Sequence, residues 1–223
     1  MFEISPNRKL HILNGQEMYR HFTKTQFLEN ELKIPFNEAM CFGNTSDDIF
    51  SNEFAEIRSK FHHVTLDEYT EITLKPLQPL FNYEFESIEL WFDADMFCQI
   101  NYLTILAWLE QTNHQSTITL HIVDDQFEPI ENYSLEAQGY YELYKQVLIH
   151  KTSPETIDPP PLKKGVQLYL NYLKDDSDIM QYIQQNQHLT ENELLMELLN
   201  NFKEYGLGDL QYLDMIKKSR LSL

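Results

Sequence analysis

The feature that most constrains this chain is the stretch at residues 87–111, which reads SIELWFDADMFCQINYLTILAWLEQ. Ile88, Leu90 and Phe92 lie in a short apolar run that stops at Asp93 and Asp95, a pattern typical of a buried β-strand. Apolar residues then recur at helical spacing. A strand that enters a helix through a tight acidic turn is the building unit of parallel α/β sheets, so this stretch predicts that fold class.

The same alternation continues through the first 130 residues. Apolar runs at 10–13, 32–36 and 117–123 predict three further strands, and helical spacing predicts helices at 16–25 and 50–61, the second with Ser51 as its N-cap. Pro76 and Pro79 interrupt residues 65–85, so we expect a connecting segment with one short helix there. The predicted fold is α/β, a mainly parallel open sheet with flanking helices.

A proline-rich segment, TSPETIDPPP at 152–161, precedes an all-helical C-terminal region. Consecutive prolines favour extended polyproline geometry, so we expect a linker there, after a helix at 135–150. Helical stretches follow at 162–174, 178–185, 190–205 and 208–218, and Thr190 and Glu193 form a capping-box pattern. The expected organisation is an α/β domain at 1–130, a helix and linker at 131–161, and a helical domain at 162–223.

The formal net charge of −18 limits the classes of partner. Residues 1–161 contain 10 Lys and Arg against 26 Asp and Glu, a net charge of −16, whereas residues 162–223 contain 7 against 9. An acidic field repels phosphate backbones, so nucleic-acid binding is disfavoured, although the small helical tail invites comparison with a helix-turn-helix. An acidic surface that only keeps the protein soluble is the simpler explanation of the charge.

Cysteine usage and hydropathy bear on the compartment. Cys41 and Cys98 are the only cysteines, and no apolar run approaches the roughly 20 residues that span a bilayer. The N-terminal sequence MFEISPNRKLHIL lacks the apolar core of a secretory signal. We therefore expect a cytoplasmic protein with no membrane partner, in which both cysteines are free thiols.

Polar residues follow the predicted strands at the points where the strands end. In parallel sheets the carboxyl ends of the strands line the ligand crevice, so these side chains are expected to converge on one polar pocket. The candidate catalytic residues are Asp93, Asp95, Glu38 and Cys98, and the candidate ligand-binding residues are Asn14, Gly15, Gln99 and Arg58, with Arg58 as a counter-charge to the carboxylates. Gly15 is the only glycine in its loop, so neither phosphate-binding motif, GxGxxG or GxxxxGK[ST], is present.

Clustered carboxylates also suggest a cation. Asp93, Asp95 and Asp124 are the candidate metal ligands, with Asp125 beside them, and oxygen-rich groups suit Mg²⁺ or Ca²⁺. A divalent-metal site with Mg²⁺ as the candidate cofactor is therefore one hypothesis, and metal-assisted phosphoryl or glycosyl transfer is the chemistry that it would allow. Asp residues at such junctions also serve as helix N-caps and turn formers, which requires no metal. Zinc is not expected, because the chain has no His/Cys pair at ligand spacing.

Cys98 has a second interpretation as a nucleophile, because the dipole at the start of a helix can lower the pKa of a thiol. A nucleophile needs a base within reach, and His11 and His121 qualify only if their strands neighbour the central one. Both histidines lie within strands, so packed structural histidines are the simpler interpretation. A buried, unreactive Cys98 is the corresponding alternative for the thiol.

Three local motifs resemble an uncharacterised bacterial family, domain of unknown function 1835. They are LHILNGQ at 10–16, NEAMCFGN at 37–44 with Arg58 following on a helix, and LWFDADMFCQIN at 90–101. The chain differs from the family pattern at Gln16, where Asp is usual, and at Asp93, where Glu is common. The resemblance covers residues 10–123 well and the tail more loosely, through GLGDLQYL. It implies a fold and a set of positions, and no reaction.

Two functions from different classes are compatible with these observations. The first is a domain that binds or transforms a small molecule, such as a nucleotide or another phosphate-containing compound, in a polar cleft at the strand ends. The second is a non-catalytic interaction or regulatory protein, in which the acidic α/β domain meets a basic partner and the tail docks or dimerises. The two hypotheses differ in whether Asn14, Glu38, Asp93, Asp95 and Gln99 line a concavity or are capped by the tail.

Overall fold

The sheet has five strands in the order β2-β1-β3-β4-β5, as a computed structural model of residues 9–221 shows. The first four strands are parallel and the last pairs antiparallel with β4. The strands are β1 (Lys9–Leu13), β2 (Leu32–Pro35), β3 (Ser87–Asp93), β4 (Thr117–Val123) and β5 (Pro129–Leu135). The predicted mainly parallel α/β sheet is therefore confirmed. Residues 1–8, on which the secretory-signal prediction depends, and residues 222–223 lie outside the described residues.

Ten α-helices are described in residues 9–221, and two of them continue as one turn of π-helix. They are α1 (Gly15–Lys24), α2 (Asn52–Phe61), α3 (Leu66–Tyr69, then π-helical Thr70–Leu74), α4 (Gln78–Asn82), α5 (Met96–Gln111), α6 (Tyr140–Tyr144, then π-helical Lys145–Ile149), α7 (Pro160–Tyr172), α8 (Asp178–Gln185), α9 (Glu191–Asn201) and α10 (Asp209–Leu221). A 3-10 turn, Lys203–Tyr205, follows α9. The helical C-terminal region is confirmed. No helix within the described residues is long and apolar enough to cross a membrane.

β3 lies at the centre of the core, as its apolar run predicts. Leu90 is fully buried and pairs in register with Ile12 of β1 and Leu120 of β4, which are also fully buried. Phe92 is fully buried as well. β3 lies between two other strands and has apolar side chains at successive positions, so both of its faces must be covered. In a parallel sheet the helices cover the two faces.

The helices divide unequally between the two faces of the sheet. Most helices and the whole tail share one continuous core with Leu10, Ile12, Leu90 and their in-register neighbours, including Leu162 of α7. A smaller cluster on the opposite face joins Leu13, Trp91 and Val123 to Met18 and Phe22 of α1. The first face is thickly covered, and within the described residues α1 is the helix that packs against the second.

Three segments differ from the prediction. Residues 129–135, expected to lead into a helix at 135–150, form β5, an edge strand whose side chains are mostly exposed. Exposure on both faces removes the two-residue apolar alternation by which a strand is recognised in a sequence. The helix begins later, at Tyr140, after Gly139. Residues 65–85 hold two helical segments where one short helix was expected.

The proline-rich segment is packed against the protein. Ile157 is 9 % exposed and belongs to the main core, and α7 starts at Pro160, two residues before the predicted boundary. Proline is favoured in the first turn of a helix because its missing N–H would have no partner there. The last of the consecutive prolines therefore begin a helix, and only those before them belong to the connection.

Candidate functional site

The strand order reverses between β1 and β3. The chain leaves β1 through α1 to the edge strand β2, then returns across β1 to β3 on its other side. In open α/β sheets the ligand crevice lies outside the carboxyl ends of the two strands at such a reversal. Here those ends carry Asn14 and Gly15 after β1, and Asp93 at the end of β3, followed by Asp95.

Asn101 of α5 connects the predicted residues to one another. Its Nδ2 donates to Oδ1 of Asn14 at 3.0 Å and to the carbonyl of Glu38 at 2.7 Å. Its Oδ1 accepts from the backbone N–H of Met40 at 2.9 Å, and Nδ2 of Asn14 donates to Sγ of Cys98 at 2.8 Å. The segments that follow β1, β2 and β3 thus meet at one point. Asn101, which is fully buried, is the centre of the network.

Sequence reasoning missed Asn101, although a signal was available. It lies three residues after Cys98, so it faces the same side of α5 one turn later. A side-chain amide in a helix that is buried on all sides needs partners, because an unpaired polar group is costly there. Its neighbours along the chain are apolar, so those partners had to come from other junctions.

Glu38 and Arg58 form a buried ion pair that braces the loop after β2. Nη2 of Arg58 lies 2.7 Å from Oε1 of Glu38, and both side chains are fully buried. The same guanidinium donates to the carbonyls of Ala39 at 2.9 Å and Asn44 at 3.1 Å. The predicted counter-charge therefore has one carboxylate as its partner. Backbone carbonyls hold both of its Nη groups, whereas its buried Nε has no hydrogen-bond partner among residues 9–221.

The Glu38 carboxylate receives further donors. Nε2 of His62 lies 2.7 Å from its Oε1, and the hydroxyl of Tyr69 donates to its Oε2 at 2.5 Å. Burial raises the pKa of Glu38, but the hydrogen bonds from His62 and Arg58 and the charge of Arg58 outweigh it and lower the pKa from 4.5 to about 2. A permanently ionised carboxylate with saturated oxygens is a structural anchor and a poor general acid or base.

Asp95 caps α5 and lies beneath the tail. Its Oδ1 accepts the backbone N–H of Cys98 at 2.7 Å. Burial raises the pKa of its carboxyl group to about 6, and the charge of Asp93 adds to the effect. Gly206, at φ +64°, lies so close that a Cβ there would be 2.5 Å from Cγ of Asp95. The turn before α10 therefore covers this carboxylate.

Gln99 is covered by the tail in the same way. It is fully buried, and its Nε2 donates to the backbone carbonyl of Asp93 at 2.6 Å. A Cβ on Gly165 of α7 would lie 2.5 Å from its Cβ, so α7 packs directly on this side chain. Its Oε1 has no hydrogen-bond partner among residues 9–221.

Asp93 is half-buried at the crevice, as Asp95 is beneath Gly206. Its Oδ1 accepts the backbone N–H of Asp95 at 3.2 Å. Burial raises the pKa of Asp93, and Asp125 and Asp124 raise it further by repulsion. Asp124 itself forms a turn, since its Oδ1 accepts the N–H groups of Gln126 and Glu128, each at 2.9 Å. No group of three or more His, Cys, Asp or Glu side chains in the described residues could hold a metal ion.

Cys98 lacks the surroundings of a nucleophile. Its pKa is raised well above the ordinary value, first by burial and then by the charges of Asp95 and Asp93. His11 and His121 are in register with residues of β3 that face α1, on the side of the sheet opposite α5. Cys41 and Cys98 are both buried free thiols.

The first turn of α1 borders the open part of the crevice. Asn14 is its N-cap residue but forms no side-chain cap, because its amide is directed to Cys98 and Asn101. The first N–H groups of a helix have no partner within the helix. Gly15, at φ +86°, has open space where a Cβ would be. Backbone donors and the half-buried Asp93 carboxylate are therefore the groups that a ligand could reach.

Comparison with known proteins adds no relative: no family model, curated protein or solved structure matches the chain. The assignment of a function therefore depends on the geometry of the chain itself.

Proposed function

We propose that the protein binds a small polar molecule in the crevice between β1 and β3, without catalysing a reaction on it. The observation that carries this proposal is the division of the polar groups at the strand-order reversal. Glu38, Arg58 and Asn101 are buried and hold one another, and the buried Gln99 holds the backbone carbonyl of Asp93. Asn14, Gly15 and the Asp93 side chain are only half-buried. The tail covers Asp95 and Gln99, so the proposed site is limited to the polar groups that it leaves half-buried, at Asn14, Gly15 and Asp93.

The catalytic candidates form no free acid–base pair within the part of the chain that the structure describes, and this argues against turnover. Among the four catalytic candidates, Glu38 is saturated, Asp95 is a helix cap beneath Gly206, and the pKa of the Cys98 thiol is raised. Acid–base catalysis needs a group with its proton within reach of the substrate. Asp93 meets that requirement alone, and one carboxylate is sufficient to orient a ligand.

The charges around the crevice define the ligand. The N–H groups of α1 favour a hydrogen-bond acceptor such as a phosphate. Asp93, Asp124 and Asp125 repel a free anion, so a nucleotide or other phosphate-containing ligand would arrive with Mg²⁺ or carry its own cationic group. We place this activity in the cytoplasm, and we assign the chain to domain of unknown function 1835 on the motifs at 10–16, 37–44 and 90–101.

A thermal-shift screen of nucleotides, sugar phosphates and amines, each with and without Mg²⁺, tests the proposal. A ligand at 100 times its Kd stabilises by about 2.7 kcal/mol, which raises the Tm by about 5 to 10 °C. Asp93→Asn should abolish the shift with little change in the Tm of the free protein. Asp175→Asn, an exposed acid after α7, is the matched control and should retain it.

Three results would overturn the proposal. A ligand whose shift is the same in Asp93→Asn binds elsewhere, and conversion of the ligand to a product during the assay would show an enzyme. If no member of the screen shifts the Tm, the interaction hypothesis takes precedence. That hypothesis rests on the net charge of −16 over residues 1–161, and it predicts salt-sensitive binding to a basic polypeptide such as polylysine.

A further inference from the structure

A second polar cluster lies on the α1 face of the sheet, apart from the crevice. We name it the His11 cluster, and its members are Lys9, His11, Lys33, Glu89, Trp91 and His121. His11 pairs in register with Lys33 of β2 and with Glu89 of β3, and Trp91 pairs with His121 of β4. Residues in register on neighbouring strands share a face, so these side chains are neighbours across three strand boundaries.

Trp91 determines which nitrogen of His11 carries the hydrogen. Nε1 of Trp91 lies 3.1 Å from Nδ1 of His11, and an indole N–H can only donate. Nδ1 of His11 is therefore the acceptor. Burial lowers the pKa of His11 to about 4, so the ring is neutral near pH 7 and its hydrogen is on Nε2.

The Nε2–H of His11 is a buried donor without an acceptor. His11 is 3 % exposed, and Nε2 has no hydrogen-bond partner among residues 9–221. Buried donors are almost always paired, because an unpaired one loses its hydrogen bond to water and gains nothing in return. The position of this group therefore requires an acceptor from outside the described residues.

The neighbouring side chains do not supply that acceptor. Glu89 already accepts from His121 at 2.7 Å, from Ser87 at 2.9 Å and from Lys9 at 3.1 Å. Lys33 is itself a donor, and its Nζ is held by the carbonyl of Leu28 at 3.1 Å. The cluster thus has more donors than acceptors, and Lys33 adds a positive charge that no carboxylate in the described residues pairs at 4 Å or closer.

We propose that the His11 cluster is an anion-binding site, in which Nε2–H of His11 and Nζ of Lys33 hold one carboxylate or phosphate group of a small ligand. The edge of the cluster reaches the surface, since the side chains of Lys9 and His121 are 45 % and 21 % exposed, and a neighbouring side chain must move for a ligand to reach the buried Nε2 of His11. Lys33 lies on β2, the edge strand, and its long side chain can move from a neutral carbonyl to a charged oxygen. Glu89 does not repel the ligand strongly, because Lys9 and His121 surround it.

Trp91 provides the readout. The chain has two tryptophans. The other one, Trp108, belongs to α5 and packs against Phe50 and Phe81 in the main core. In a Trp108→Phe background the emission reports Trp91 alone, whose indole is bonded to His11 and stacked on His121 at 4.1 Å. Sodium phosphate and sodium acetate are titrated at constant ionic strength against sodium chloride. The comparison of phosphate with acetate distinguishes the two anion classes.

The proposal predicts a saturable change in Trp91 emission with at least one of the two anions and none with chloride. Lys33→Met should weaken this binding by about tenfold, because a hydrogen bond to a charged group is lost. Lys60→Met, at an exposed lysine of α2, is the control and should leave the affinity unchanged. Independently of any variant, the ¹⁵N–¹H NMR signal of His11 Nε2 should be present at pH 7 and should shift on binding.

Three outcomes would overturn the proposal. They are the lack of a saturable response to either anion, an equal affinity in Lys33→Met and Lys60→Met, and a His11 Nε2 signal that does not move as the emission changes. If Lys33→Met is unfolded, the NMR titration of the parent protein decides alone.

Discussion

Glu38→Gln is the substitution whose effect the structure defines most closely. It keeps the shape of the side chain but removes the charge that faces Arg58 at 2.7 Å, in a site where both side chains are fully buried. Breaking a buried ion pair by neutralising one partner costs about 3 to 5 kcal/mol, because the remaining charge stays buried and unpaired. We expect a loss of that size in the free energy of unfolding at pH 7.

The pH dependence separates the charge from other effects of the substitution. The pKa of Glu38 falls from 4.5 in the unfolded chain to about 2 in the folded one, so its ionisation stabilises the fold above pH 4.5 and the benefit is lost as the pH falls through 2. At 1.36 kcal/mol per pH unit this amounts to about 3 kcal/mol, of which about 2 kcal/mol is gone by pH 3. The variant lacks this titration, so its deficit should shrink on acidification.

Urea unfolding curves of the two proteins between pH 3 and pH 7 measure the deficit directly. Glu56→Gln is the matched control, since Glu56 lies on α2 with Arg58 but is exposed, and its oxygen is 3.9 Å from Lys60. A surface pair of this kind contributes at most about 1 kcal/mol. A deficit for Glu38→Gln that is the same at pH 3 and pH 7, or no larger than that of Glu56→Gln, would refute the account of a buried, ionised Glu38.

The remaining predictions concern the tail contact, the cap of α5 and the thiols. Gly206→Ala should lower the free energy of unfolding by more than Gly139→Ala. Both glycines have a positive φ, but only a Cβ at Gly206 would meet another side chain, that of Asp95, at 2.5 Å. Urea unfolding of the two variants measures the difference. Asp95→Asn should stabilise the protein at pH 7 and not at pH 3. The raised pKa of Asp95, about 6, means that its ionisation opposes folding as the pH rises from 3.8, and Asn caps a helix equally well; a destabilised variant at pH 7 would contradict this. Thiol titration should find two groups in the unfolded chain and slow reaction in the native one, since burial raises the pKa of both cysteines.

Much of the fold could be predicted from local pattern. Within residues 87–111 the apolar residues first recur at every second position and then at helical spacing. The structure has β3 and α5 there. Ser51 and Thr190 are the predicted caps, and their side chains accept the N–H groups of Phe54 and Glu193. These features depend on residues within a few positions of one another, so the sequence contains all the information that they need.

The residues at the crevice could be named in part, because parallel strands bring their carboxyl ends to one edge. The sequence alone determined that Asn14, Glu38, Asp93, Asp95 and Gln99 follow strands. It did not determine which of them remain accessible. That depends on partners far along the chain: Arg58 for Glu38, Gly206 for Asp95 and Gly165 for Gln99.

Only the tertiary structure decided the roles of these side chains and revealed Asn101 and the His11 cluster. Asn101 meets Asn14, 87 positions away, and Trp91 meets His11, 80 positions away. No local periodicity encodes such pairs, because a hydrogen bond between distant residues follows from the order and register of the strands. β5 was missed for the same reason: an exposed edge strand is held by its backbone bonds to β4, and those bonds leave little mark on the side chains.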